Sequence, residues 1–218
     1  METIPSEIFL EICSQLYVKD LYTLTLVCRS YRKVLWSKTI SIQKIWTCSR
    51  VLSFDTYLPY PTLPPPKSMS EQEYVWFTML ADKCSICKTK IEKQELFVCR
   101  YWEFGRICCK ECIEKKTINV PFVTIFLNTR KVQNSLPKDL LECMPYHERH
   151  VFNLGDERLY WADDLQSIQS KYYAFENEQQ RDNWVKEKRE EVKEFMNEAF
   201  KYKWQDQYKY FFPYAFMV

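Results

Sequence analysis

Glycine is almost missing from this chain: 218 residues hold only Gly105 and Gly155. Phosphate-cradling loops of the Walker or dinucleotide type need several glycines, so nucleotide chemistry is excluded. Histidine is equally scarce, with only His147 and His150. They stand three apart in YHERH, which lacks the i, i+4 spacing of an HExxH metal site, and they read as surface or turn hydrogen-bonding groups. Net charge is close to absent as well, since 31 basic residues face 29 acidic ones for a balance of +2. That leaves no general electrostatic drive toward nucleic acid or an anionic membrane. No apolar run approaches the roughly 20 residues that span a bilayer. The opening Met-Glu-Thr-Ile-Pro is not a charged-then-apolar leader; the expectation is a soluble protein of the cytoplasm and/or nucleus, with no membrane partner. No nucleophile–base pair or carboxylate constellation stands out, so the chain is not expected to be an enzyme.

What the sequence does have is apolar side chains at 46% and aromatics at 17%, enough for a packed core. The first forty residues concentrate them. Pro5 suits a first helical turn, and Ile8, Phe9, Ile12 and Leu16 follow at helical spacing. Asp20 is a candidate cap for a second helix carrying Leu21 and Leu24, and Val27 and Cys28 lead into a third with Tyr31, Val34, Leu35 and Trp36. Three helices in so short a stretch fall below the roughly 40 residues that usually fold alone. Their apolar residues also cover more than one face. The surplus either packs on the rest of the chain or waits for a partner.

The residues Ile4-Pro5-Ser6-Glu7-Ile8, then Ile12, Leu16, Asp20-Leu21, Leu24 and Leu26-Val27-Cys28-Arg29-Ser30-Tyr31-Arg32 resemble an F-box. That family opens on Leu-Pro-x-Glu, carries Asp-Leu in the middle and closes on Val-Cys-Arg-x-Trp-Arg. Ile4 and Tyr31 replace the family's Leu and Trp with residues of like chemistry. The resemblance covers about residues 3–45. It implies docking onto a Skp-family adaptor and, through it, a cullin scaffold of a ubiquitin ligase. By the same analogy the contact residues are Ile4, Pro5, Ile8, Ile12, Leu16, Leu21, Leu24, Val27 and Cys28, working as a groove-and-helix interface.

Six of the ten cysteines crowd into residues 84–112. Such crowding means metal before disulfide in a reducing compartment. Cys84 and Cys87 form one C-x2-C pair, Cys109 and Cys112 another, with twenty-one residues between. Each pair can turn two thiolates toward one point, and four thiolates suit tetrahedral Zn2+. Four sulfurs leave no open position for water, so the zinc is expected to be structural rather than catalytic. Cys108 could replace Cys109 with a three-residue gap, and Cys99 could enter the shell; otherwise both pack as small hydrophobes. Six cysteines without histidine between 82 and 116 are too few for the eight ligands of a RING. Glu95 to Cys99 with Tyr101-Trp102 reads as a hairpin and Ile113 to Ile118 as a helix, similar to a treble-clef or ribbon finger. An F-box, a linker and Cys-pair fingers together resemble an architecture of fungal F-box proteins; Gly105-Arg106-Ile107-Cys108 and Tyr160-Trp161-x-x-Asp164-Leu165 add to that likeness.

Residues 55–70 hold five prolines and read as an extended connector. Glu71 to Leu80 reads as a short helix. Val120 to Leu127 is an apolar run that periodicity assigns to neither strand nor helix. Leu136 to Leu141 reads as a short helix after Pro137. Asp163 or Asp164 could cap a helix with Leu165, Ile168 and Tyr172. Residues 177–208 lack glycine and proline and read as one long helix, its apolar stripe broken at Lys188 and Arg189, which argues against a two-stranded coiled coil. Asp182 and Lys186 are spaced to pair across one turn of it. The tail 208–217 is unusually aromatic and either folds back on the core or forms a recognition patch.

The expectation is a mostly α-helical protein: an F-box over 1–50, a proline-rich linker over 51–70, a four-cysteine zinc finger with a small β-hairpin over 71–120 and a helical C-terminal region over 121–218. Its expected function is substrate recognition for a Skp–cullin–F-box ubiquitin ligase, with structural Zn2+ and an unidentified protein target. The alternative is a zinc-finger nucleic-acid-binding protein. Against it, the helix at the second cysteine pair begins Lys110-Glu111-Cys112-Ile113-Glu114, whose carboxylates would repel phosphates.

Overall fold

A computed structural model describes residues 5–53, 63–92, 99–121, 136–151 and 155–211. The chain forms two units, Met1–Ala81 and Asp82–Val218.

The first unit is helical. Helices α1 (Ser6–Ser14), α2 (Val18–Val27), α3 (Arg29–Leu35) and α4 (Ile40–Ser53) are followed by α5 (Glu71–Val75), which runs into a wider π turn over Trp76–Leu80. Cys13, Val18, Leu21, Leu35, Ile42, Ile45, Trp46 and Val75 make its core. Phe9 stacks on Tyr31 at 4.5 Å and ties α1 to α3. Helix ends carry unsatisfied carbonyls that must find donors. Here Trp46 Nε1 donates to the Leu35 carbonyl at 2.8 Å, and Gln72 Nε2 donates to that carbonyl and to Ser37. Arg50 grips Glu71 through two parallel bonds of 3.0 Å, both side chains buried.

These contacts move the expected boundary. Residues 71–80 pack with the N-terminal helices through Val75, Met79 and Leu80 and do not belong to the cysteine finger. The proline-rich stretch suggested a boundary there, but Glu71 has its charge partner on α4. Residues 54–62 lie outside the described residues.

The second unit is mixed. Strands β1 (Arg100–Tyr101) and β2 (Arg106–Ile107) pair across a 3-10 turn at Trp102–Phe104, where Gly105 takes the left-handed φ of 59° that closes it. Helix α6 (Lys110–Lys116) follows, then β3 (Thr117–Pro121), α7 (Lys138–Leu141), β4 (Tyr146–Val151), β5 (Gly155–Trp161), α8 (Ala162–Tyr173) and α9 (Glu178–Phe211). The sheet runs β3-β5-β4, all antiparallel.

Central strand β5 buries alternate residues on opposite faces, as the two-residue period of a strand dictates. Leu159 and Trp161 pack with Tyr101, Cys108 and Ile113. Tyr160, on the other face, packs with Leu140, Leu141, Met144, Leu165, Tyr172 and Val185. The sheet therefore has the cysteine finger on one side and helices on the other.

Several expectations change here. The region after 120 is not wholly helical: it contains β4 and β5, and Thr117–Ile118 belong to β3 rather than to the helix before it. YHERHV is a strand because its charges are answered across the ladder, Glu148 by Arg158 at 3.3 Å and Arg149 by Glu157 at 3.1 Å. The finger's hairpin sits at 100–107 rather than around 95–102; residues 93–98 lie outside the described residues, as do 122–135 and the tail 212–218. The long helix expected from Asn177 is present as α9. Asp182 lies 3.8 Å from its neighbour Arg181. Neither Asp163 nor Asp164 caps α8 through its side chain; Trp161 occupies the cap.

Candidate metal centre and candidate partner face

The cysteine site is built by two turns. In the first, the Cys84 amide donates to the Thr89 carbonyl at 2.9 Å and the Lys88 amide to the Cys84 carbonyl at 3.1 Å. Lys88 takes a φ of 62°, unusual away from glycine, so the chain reverses within one residue of Cys87. In the second, Cys109 is the N-cap of α6 and Cys112 stands in its first turn. The knuckles are joined through β2: Ser85 donates its amide to the Ile107 carbonyl at 2.7 Å.

The result is a quartet. The sulfurs of Cys84, Cys87, Cys109 and Cys112 lie within 4.8 Å of one another and could hold a metal ion. Cys87 and Cys109 are 3.7 Å apart. The sequence left Cys108 and Cys109 open as the third ligand, and the structure brings Cys109 into the quartet. Cys108 points into the apolar core, fully buried, its thiol pushed up to about 12 by that burial. Cys99 is not in the quartet; its carbonyl accepts the Cys108 amide at 2.8 Å.

Thiol electrostatics differ within the quartet. The Thr89 hydroxyl and amide hold Cys87 down to about 6. Burial works against ionisation of Cys84, but the amides of Cys109, Cys87 and Ile86 outweigh it and lower its thiol. Burial and neighbouring sulfurs raise Cys112 to about 12, and burial raises Cys109. Four crowded sulfurs thus resist full ionisation unless a cation compensates them.

The segment between the knuckles anchors the end of α9. Arg100 and the Trp102 indole both donate to Asp206 Oδ2, at 2.8 and 2.7 Å. Trp102 stacks on Tyr202 at 4.8 Å. Glu103, almost fully buried, accepts from Lys203 at 2.7 Å and meets His147 Nδ1 at 3.1 Å. Burial alone would raise Glu103; the His147 bond and the Lys203 charge hold it down to about 2.

The N-terminal helices each carry two apolar rows. On α1, Phe9 and Cys13 turn inward while Ile8 and Ile12, also four apart, face water at 54% and 47% exposure. On α2, Val18, Leu21 and Thr25 are buried while Leu26 and Val27 are exposed, Val27 by 63%. Of the expected contact residues, Pro5, Ile8, Ile12, Val27 and Cys28 are at the surface. Pro5 caps α1, and Cys28 caps α3 by accepting the Tyr31 amide on its sulfur at 3.4 Å. Leu16 and Leu24 are half-buried against the core. Leu21 is fully buried. It holds α2 in place and has no surface to offer a partner. Ile4 lies outside the described residues. The sequence reading missed Tyr17, Leu26, Val34 and Ile40, all large, apolar and exposed. The Leu26-Val27 pair was the available signal, because adjacent residues on a helix cannot both face one core.

Among the described residues, seven of the exposed large apolar side chains fall from Ile8 to Ile40. Soluble surfaces scatter such residues singly, and a concentration of them marks an interaction site. Among the described residues no helix is long and apolar enough to cross a membrane.

No curated protein and no solved structure is significantly similar to the chain. One family model does match: F-box-like, at residues 1–40, the stretch that holds α1, α2 and α3. The chain therefore carries an F-box-like domain at residues 1–40, ahead of a cysteine quartet that could hold a metal ion.

Proposed function

We propose that this protein is the substrate-recognition adaptor of a Skp–cullin–F-box ubiquitin ligase. The observation that carries the reading is the coincidence of the F-box-like match with the outward apolar rows of α1 and α2. Pro5, Ile8, Ile12, Leu26 and Val27 would meet a Skp-type adaptor, with Tyr17 and Val34 extending the contact. The adaptor would bridge to a cullin. The second unit would present the target, and the chain's contribution would be effective concentration rather than bond chemistry. Ubiquitin transfer would belong to other subunits, in the cytoplasm and/or nucleus.

The cysteine quartet fits structural zinc. Four thiolates about 2.3 Å from a tetrahedral ion stand about 3.8 Å from each other. The Cys87–Cys109 separation of 3.7 Å matches that edge. An all-sulfur tetrahedral set selects zinc or iron over magnesium or calcium. When bound, the ion would neutralise the thiolates and pin the knuckles. The residues between them then hold Asp206, Tyr202 and Lys203 of α9. The likeness to fungal F-box proteins with cysteine fingers belongs to the same reading. The nucleic-acid alternative gains no support: α6 exposes Glu111 and Glu114.

Co-expression with a Skp-type adaptor tests the reading. The two chains should co-purify, and Ile12→Asp should abolish recovery of the adaptor while leaving the chain folded. Failure of the unaltered chain to retain the adaptor would remove it.

A further inference from the structure

The second unit contains a cleft of 460 Å³ where α8, α9 and the Cys143–Pro145 turn meet. That volume is in the range of sites that take one or two side chains or a small ligand. Its apolar lining includes Ile168, Val192 and Phe195 together with Met144 and Pro145. The charges on it are unequal. Lys188 Nζ holds Glu191 Oε2 at 2.7 Å, so that pair is balanced internally. Asp164, exposed in the first turn of α8, makes no hydrogen bond or ion pair to the described residues. Its neighbour Asp163 faces Lys116 at 3.7 Å. Among the residues that line the cleft the unanswered charge is therefore negative; Lys171, outside the lining, also acts on Glu191. The floor thiol of Cys143 is turned away toward the Asp139 and Val185 carbonyls, at 3.2 and 3.8 Å, and is fully buried. This is a site for reversible docking and not for covalent capture.

We infer that this cleft is the target-docking site, and that its occupant is a short extended peptide with one bulky apolar side chain next to a lysine or arginine. The apolar side chain fills the space between Ile168, Val192 and Phe195. The adjacent cation answers Asp164. The inference rests on the adaptor reading only for the word target; the chemistry of the occupant comes from the cleft alone.

The test uses the full chain, metal-replete, against a positional library of N-acetylated, C-amidated peptides, followed by fluorescence anisotropy on the best member. Enrichment of Leu, Ile, Phe or Met beside Lys or Arg is expected. Replacing the apolar anchor by glycine should weaken binding roughly tenfold or more. Asp164→Lys should weaken it about three- to fivefold, the worth of an exposed pair, and turn the flanking preference to acidic residues. Ser167→Trp fills the mouth from an exposed position and should abolish binding with no change in Tm. Absence of any enriched peptide, enrichment of acidic flanks by the unaltered chain, or binding that survives both substitutions would each overturn the assignment. The outcomes separate from those of the adaptor test. Adaptor binding without peptide selection defeats the cleft alone, and peptide selection without adaptor binding defeats the ligase reading alone.

Discussion

Helix α1 and strand β5 each carry apolar residues on two faces, and the two faces meet different fates. In β5, Leu159 and Trp161 are covered by the cysteine finger and Tyr160 by helices of the same unit. In α1, Cys13 and Phe9 are covered and Ile8 and Ile12 are left in water. The sheet strand closes its surfaces within its own chain. The helix leaves one open, at a cost in solubility that a partner would offset. The second unit also relies on polar anchors: Arg100–Asp206, Glu103–Lys203 and the sulfur quartet. Most of the first unit is held by apolar packing, with the Arg50–Glu71 clamp as its main buried ionic contact among the described residues.

The contrast can be broken most forcefully at the sulfurs. Cys84→Ser with Cys112→Ser, or a strong chelator, should release one zinc ion per chain by metal analysis. Apparent binding energies of such sites are on the order of 10 kcal/mol, so residues 82–121 should lose cooperative unfolding. Hydrogen exchange should rise there and at 199–206, while α1 to α4 keep their protection. Loss of protection throughout would show that the two units do not stand by different means.

Glu71→Ala probes the first unit's ionic contact. It removes the carboxylate partner of a buried guanidinium, and such losses run about 3–5 kcal/mol, read as a lower midpoint in urea. Leu21→Ala should cost about 2–5 kcal/mol by leaving a cavity, and both should act on the helical unit alone.

A pH titration sharpens the contrast further. Glu103 is held down to about 2, below the roughly 4.3 of a free glutamate. A depressed carboxyl contributes stability that is complete above the free value and lost as pH falls toward the depressed one. The second unit should therefore lose about 3 kcal/mol between roughly pH 4.3 and 2, and Glu103→Gln should flatten that slope. Hydrogen exchange at 199–206 would follow it.

How much of this was legible in the sequence depends on what fixed each residue. The spacing of α1 to α3 was readable because every turn must serve a core, and the four clustered cysteines because two C-x2-C pairs constrain each other. Inward and outward could not be told apart for Leu21 and Val27, since both are apolar and only packing against α4 and Val75 decides between them. Strand β4 was hidden because its residues are charged, and charged residues form a strand only beside a partner of complementary order such as Glu157-Arg158. The role of Glu71 was invisible for a similar reason, as its guanidinium partner lies twenty-one positions away.

The smallest expected change in stability accompanies the most informative change in binding. Val27→Asp sits on an exposed position and should alter Tm by no more than surface substitutions usually do, about 0.5 kcal/mol in stability. Isothermal titration of the full chain with a purified Skp-type adaptor, run in parallel on the unaltered chain and on Val27→Asp, decides whether the outward face of α1 and α2 is an adaptor surface. One adaptor should bind per unaltered chain, with no heat of binding for the variant. Equal binding by both, or binding by neither, would contradict it.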